Sequence, residues 1–104
     1  MIRHIVLVRF SADAFPEIES VFAELEGLRD FLPGMTGFSG GANASPEGLA
    51  RGFTHAFTVD FVDAAARDAY LEHPAHKAAG GRLVALAEGG IDGLLAFDFE
   101  IPAA

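Results

Sequence analysis

Strands that are apolar on both faces constrain this chain more than any other feature of its sequence. From Ile2 to Phe10, the residues Ile2, His4, Val6, Val8 and Phe10 point one way, while Ile5 and Leu7 stand between Arg3 and Arg9 on the other. From Phe53 to Phe61, a row of His55, Phe57, Val59 and Phe61 alternates with Thr54, Ala56, Thr58 and Asp60. From Ile91 to Ile101, the row Leu95, Phe97, Phe99 and Ile101 lies opposite Leu94 and Ala96. A sheet made of such strands needs an apolar cover on each side.

Helical periodicity supplies one cover. Asp13 is the expected cap of a first helix, with Pro16 in its first turn and Ile18, Val21, Phe22, Leu25 and Leu28 on one face. Pro33-Gly34 closes it. A weaker, glycine-bearing strand follows over Met35 to Gly41, then a turn-rich loop over Asn43 to Gly52. Asp63 is the expected cap of a second helix ending near Glu72. Pro74 breaks it and opens a further helical stretch, carrying Leu83, Val84 and Leu86 to the Gly89-Gly90 stop.

The order strand–helix–strand–strand–helix–strand predicts an α+β fold, a four-stranded antiparallel sheet with helices on one face, as one domain over residues 1–104. If the Phe/Val rows face the helices, Ile5, Leu7, Leu94 and Ala96 face outward. A second copy of the same sheet is the economical cover for them, so a homodimer is expected.

Seven basic against fifteen acidic residues give a formal net charge of −8, a poor match for nucleic acid or an anionic membrane surface. The absence of cysteine excludes disulfides, thiolate metal sites and a thiol nucleophile. The N-terminus lacks the features of a signal peptide and every apolar stretch falls short of a membrane span, so a cytoplasmic location is expected.

Four histidines and the single tyrosine carry what chemistry the sequence offers. His4 and His55 share the Phe/Val rows, and Tyr70, His73 and His76 surround the Pro74 break. With those rows facing the helices, all five point between sheet and helices, where acid/base groups with apolar walls suit proton transfer. Each also has a structural reading: a strand-end histidine satisfied by a carbonyl, or one beside a proline break capping a helix. The His73-Pro74-Ala75-His76 spacing crosses a proline and lacks the helical histidine pair of zinc motifs, so no metal is expected. Neither Gly40-Gly41 nor Gly80-Gly81 forms a phosphate-binding pattern, and no serine sits in a nucleophile elbow. Asp60, Asp98 and Glu100 are expected on the faces opposite the histidines, where Arg3 and Arg9 pair with carboxylates.

Three segments carry a family resemblance: His4-Ile5-Val6-Leu7-Val8-Arg9-Phe10, the stretch from Asn43-Ala44-Ser45-Pro46-Glu47-Gly48 to Gly52-Phe53-Thr54-His55, and Tyr70-Leu71-Glu72-His73-Pro74-Ala75-His76. In this order and spacing the chain resembles the stress-responsive A/B-barrel (Dabb) family over nearly its whole length. The resemblance implies a ferredoxin-like protomer and a dimeric α/β barrel closed by sheet-to-sheet packing. A few members are cofactor-free polyketide cyclases. In those, the histidine matching His76 is the base, the tyrosine matching Tyr70 assists, and histidines matching His4 and His55 line the pocket. The run Ala78-Ala79-Gly80-Gly81 departs from the family pattern near the expected pocket mouth.

The expected function is a stress-associated homodimer holding a small, largely apolar organic molecule between sheet and helices, with His4, His55, His73, Phe57 and Val59 contacting it. The alternative is a cofactor-free cyclase or lyase, with His76 abstracting a proton and Tyr70 stabilising the oxyanion. Oxygenation of quinone-like substrates is a third reading, by fold analogy alone.

Overall fold

A computed structural model describes residues 1–102; Ala103 and Ala104, the end of the expected domain, lie outside the described residues. Four strands, β1 (Ile2–Val8), β2 (Met35–Ala42), β3 (His55–Phe61) and β4 (Leu94–Glu100), form one antiparallel sheet in the order β2-β3-β1-β4. Helix α1 (Ile18–Glu26) joins β1 to β2, and α2 (Ala64–Glu72) and α3 (Pro74–Leu86) join β3 to β4. This is the ferredoxin-like βαββαβ arrangement, with the second helical connection split at Pro74.

Local chemistry accounts for most boundaries and corrects several expectations. The first strand stops at Val8, and Phe10 makes only an isolated bridge to Ala87. Asp13 caps nothing: a 3-10 segment from Ala12 to Glu17 contains Pro16, and the regular helix starts at Ile18. The third strand begins at His55 rather than Phe53, because Gly52 turns the chain at φ 85°. Asp63 does cap α2, its Oδ1 accepting from the Ala66 N–H at 2.8 Å. Gly89 and Gly90, at φ 75° and 66°, turn the chain after α3, and a 3-10 segment (Gly90–Gly93) delays the last strand to Leu94. Gly40 of β2 also has a packing reason: a Cβ there would come within 2.9 Å of the Phe22 ring.

The helix-facing side of the sheet holds the core. Val6, Val8, Phe57, Val59 and Phe61 pack beneath Val21 and Leu25 of α1, Tyr70 of α2 and Leu83 of α3. Fully burying each large apolar side chain contributes about 1.5–3 kcal/mol before conformational entropy is counted.

One expectation about faces is reversed. Cross-strand partners share a face, and Leu95, Phe97 and Phe99 pair with Leu7, Ile5 and Arg3. The large row of β4 therefore lies on the outer face, with Phe97 60% exposed. Leu94, Ala96 and Asp98 pair with Val8, Val6 and His4 and turn toward the helices. The bulky row was expected inward because size suggested core; register decided otherwise. The outer face is apolar along β1 and β4 and polar toward β3, where Arg3 pairs with Asp60 at 2.8 Å. No helix of the described residues is long and apolar enough to cross a membrane.

Candidate functional site

A cavity of about 450 Å³ opens between the β1/β4 half of the sheet and helices α2 and α3. Val6, Leu25, Phe57, Leu83, Leu94 and Ala96 make its walls apolar. His4, Tyr70 and His76 bring polar atoms to it. Each is placed by a different element: His4 by the alternation of β1, Tyr70 by the last turn of α2, and His76 by the first turn of α3. The Pro74 break folds α3 back so that His76 lies against Tyr70, ring centroids 4.2 Å apart; the His4 ring meets Tyr70 edge-on at 5.9 Å.

The hydrogen bonds fix what each group offers. Asp98 accepts from His4 Nδ1 at 2.6 Å on Oδ1 and from Arg67 Nη1 at 2.9 Å on Oδ2. Burial pushes the Asp98 carboxyl up, but the bonds from His4 and Arg67 outweigh it and hold the pKa below the ordinary value. An ionised Asp98 only accepts, so His4 Nδ1 carries the hydrogen and leaves Nε2 as the nitrogen free for the cavity. His76 Nδ1 donates to the Leu71 carbonyl at 3.3 Å, which leaves its Nε2 free as well. Burial lowers the His76 pKa; the Leu71 carbonyl opposes this, and nearby His4 and Lys77 add to it. His76 is thus a neutral base at pH 7. Burial pushes the Tyr70 hydroxyl pKa up, keeping it protonated. That hydroxyl is buried with no hydrogen-bond partner among the described residues.

The other expected contacts fall elsewhere. His73 is the cap of α3, its Nδ1 accepting from the Ala75 N–H at 3.0 Å while its ring stacks on Phe31. His55 stands at the far end of β3 among Phe10, Phe15 and Phe22, its Nδ1 2.9 Å from Thr54 Oγ1. Val59 is wholly core. The structure gathers His4 and His76 at the cavity but not the other two histidines: the break at Pro74 leaves His73 accepting from a backbone N–H, and His55 stays in the layer between sheet and helices but stands past the cavity's end. Asp98 was expected opposite the histidines; β4 register places it beside His4. Asp98 and Arg67 are the polar residues that sequence reasoning missed here. A lone carboxylate inside the apolar run Leu94–Phe99 was the available signal. Among the described residues, no group of three His, Asp or Glu side chains is placed to hold a metal ion.

Comparison with known proteins agrees with this architecture. Residues 2–101 match the family described as Stress responsive A/B Barrel Domain. The stress-response A/B barrel domain-containing protein HS1 of Arabidopsis thaliana is 29% identical, over 95% of this chain and 88% of its own. A dimeric ferredoxin-like protein of unknown function from Jannaschia superposes with a TM-score of 0.89 at 39% identity, covering 96% of this chain and 98% of that one. Hydroxynitrile lyase from Passiflora edulis superposes at 0.84 with 23% identity, covering 99% and 94%, a likeness of fold alone.

Proposed function

The chain belongs to the stress-responsive A/B barrel domain family, and from that premise we propose that it works as a homodimer binding a small, largely apolar, hydroxyl-bearing molecule in the His4–Tyr70–His76 cavity. The observation that carries the binding reading is the unpartnered Tyr70 hydroxyl. A buried hydroxyl without a partner costs roughly 1–3 kcal/mol, and a ligand polar atom beside it would remove that penalty. A neutral His76 nitrogen that accepts, beside a Tyr70 hydroxyl that donates or accepts, matches a ligand hydroxyl, and the apolar walls disfavour a charged carboxylate or ammonium group. The apolar walls favour a carbon body. Dimerisation is supported by the exposed Leu95, Phe97 and Phe99 row and by the dimeric Jannaschia relative. The stress-response setting rests on the family's description.

Titration calorimetry with phenol and 4-alkylphenols tests the binding reading. The native chain should bind, and Tyr70→Phe should weaken binding by about tenfold, the loss of roughly one hydrogen bond. Absence of binding to every member, or affinity indifferent to both Tyr70→Phe and His76→Ala, would reject it.

A second reading, cofactor-free proton transfer, is favoured by the Arg67–Asp98–His4 chain of charge-assisted hydrogen bonds beside a neutral His76. His76 would take a proton from carbon while Tyr70 donates to the developing oxyanion. Exchange of the α-hydrogen of a 1,3-diketone into heavy water, followed by NMR, should be catalysed by the native chain and lost in His76→Ala. Exchange at the buffer rate with the native chain would leave only the binding reading.

A further inference from the structure

Gly80 and Gly81 occupy consecutive positions inside α3, a helix of 13 residues. Glycine is among the residues least suited to a helix interior. Neither position has the backbone or the crowding that demands it: both are helical, and a Cβ at either would meet no atom within 4 Å. Their surroundings differ. Gly80 lines the cavity, whereas Gly81 is exposed and outside its wall.

Spacing places Gly80 in a functional line. His76, Gly80 and Val84 follow at intervals of four, one helical face, and all three line the cavity. Gly80 therefore sits about one helical turn, roughly 5.4 Å, from His76. A molecule whose hydroxyl is held at Tyr70 and His76 meets Gly80 next along this helical face, with Leu83, Val84 and Ile91 also in the lining. A side chain at position 80 would take up room in the cavity that Gly80 lines, where a Cβ meets open space.

We infer that Gly80 is a specificity-determining residue, its missing side chain leaving room for an apolar substituent of a few carbons on the hydroxyl-bearing ligand. The inference rests on the binding reading above, and the experiment separates the two. Phenol and 4-butylphenol are titrated into the native chain, Gly80→Ala, Gly80→Leu and the control Gly81→Leu. Gly80→Leu should lose affinity for 4-butylphenol by about tenfold or more while holding phenol within about twofold, as expected when a few methylenes lose their space. Gly80→Ala should show the same bias in smaller measure, and Gly81→Leu should change neither ligand. Circular dichroism melts check folding; if Gly80→Leu does not fold, the Gly80→Ala bias decides. A native chain that binds neither phenol rejects the binding reading and this inference together. A native chain that binds both, with affinities that Gly80→Leu leaves unchanged or lowers equally, overturns the inference alone.

Discussion

His4, Tyr70 and His76 owe their chemical states to their neighbours rather than to their residue types. Tyr70 is the clearest case, because its ring is buried against Phe61 and His76 while its hydroxyl finds no partner among the described residues. Tyr70→Phe should therefore leave the unliganded protein as stable as before or raise its stability by up to about 1 kcal/mol, read from urea midpoints. A loss of 2 kcal/mol or more would mean that the hydroxyl has a partner. His76 makes stability depend on pH. Burial sets its folded-state pKa below the ordinary 6.5, so the unfolded chain binds protons more readily just beneath that value. Stability is complete above the window and falls as pH drops below 6.5, until the folded imidazole also protonates. His55, lowered by burial too, adds in the same direction. The urea midpoint should be lower at pH 5.5 than at 7.5, and His76→Gln should shrink the difference; equal midpoints at the two pH values would contradict the burial argument. Asp98 acts in a separate range. Its depressed pKa contributes stability above the ordinary carboxylate value near 3.8, and that contribution is lost as acid takes pH below it.

Among the elements, the paired helices α2 and α3 shape the site. Pro74 cannot continue α2, and its position at the start of α3 leaves the next backbone N–H groups needing an acceptor. His73 supplies one. His73→Ala should cost about 1–2 kcal/mol, as for a lost helix cap, with ligand affinity nearly unchanged. The corresponding change at His76 should show the reverse, little stability lost and binding or exchange impaired. Paired denaturation and titration of the two variants distinguish them, and a His73→Ala variant that is fully stable would remove the capping role.

At the scale of the whole molecule, the question is what covers the second side of the sheet. Helices cover one face; Ile5, Leu7, Leu95, Phe97 and Phe99 make the apolar half of the other. Exposed apolar surface of this kind usually marks an interface. Light scattering of the native chain should report about twice the chain mass, and Phe97→Asp should return it to one, by placing a charge at the centre of the patch. A native monomer at micromolar concentration would reject the homodimer. The unchanged circular dichroism expected of Phe97→Asp guards against a variant that has merely unfolded.

Local signals in the sequence determined the element order, the Asp63 cap, the break at Pro74 and the inward row of His4, Val6 and Val8. Each depends on alternation, periodicity or capping within a few residues, and those patterns are written along the chain. The start of α1 was harder to read, because an uncapped 3-10 segment containing Pro16 precedes it, where the polar residues and the proline resemble the start of a regular helix. Much of the candidate site is legible as residue types: Tyr70, His73 and His76 surround Pro74, the family resemblance marks Tyr70 and His76 among them, and His4 stands out by its row. Tertiary structure alone decided which of the four histidines meet. It set the register that turns Asp98 toward His4 and Phe97 away from the core, and the path that leaves Gly80 facing a cavity. The physical reason lies in the period of two in a strand: each row is visible in the sequence, but which row faces the helices is fixed by pairing with another strand far away in the chain.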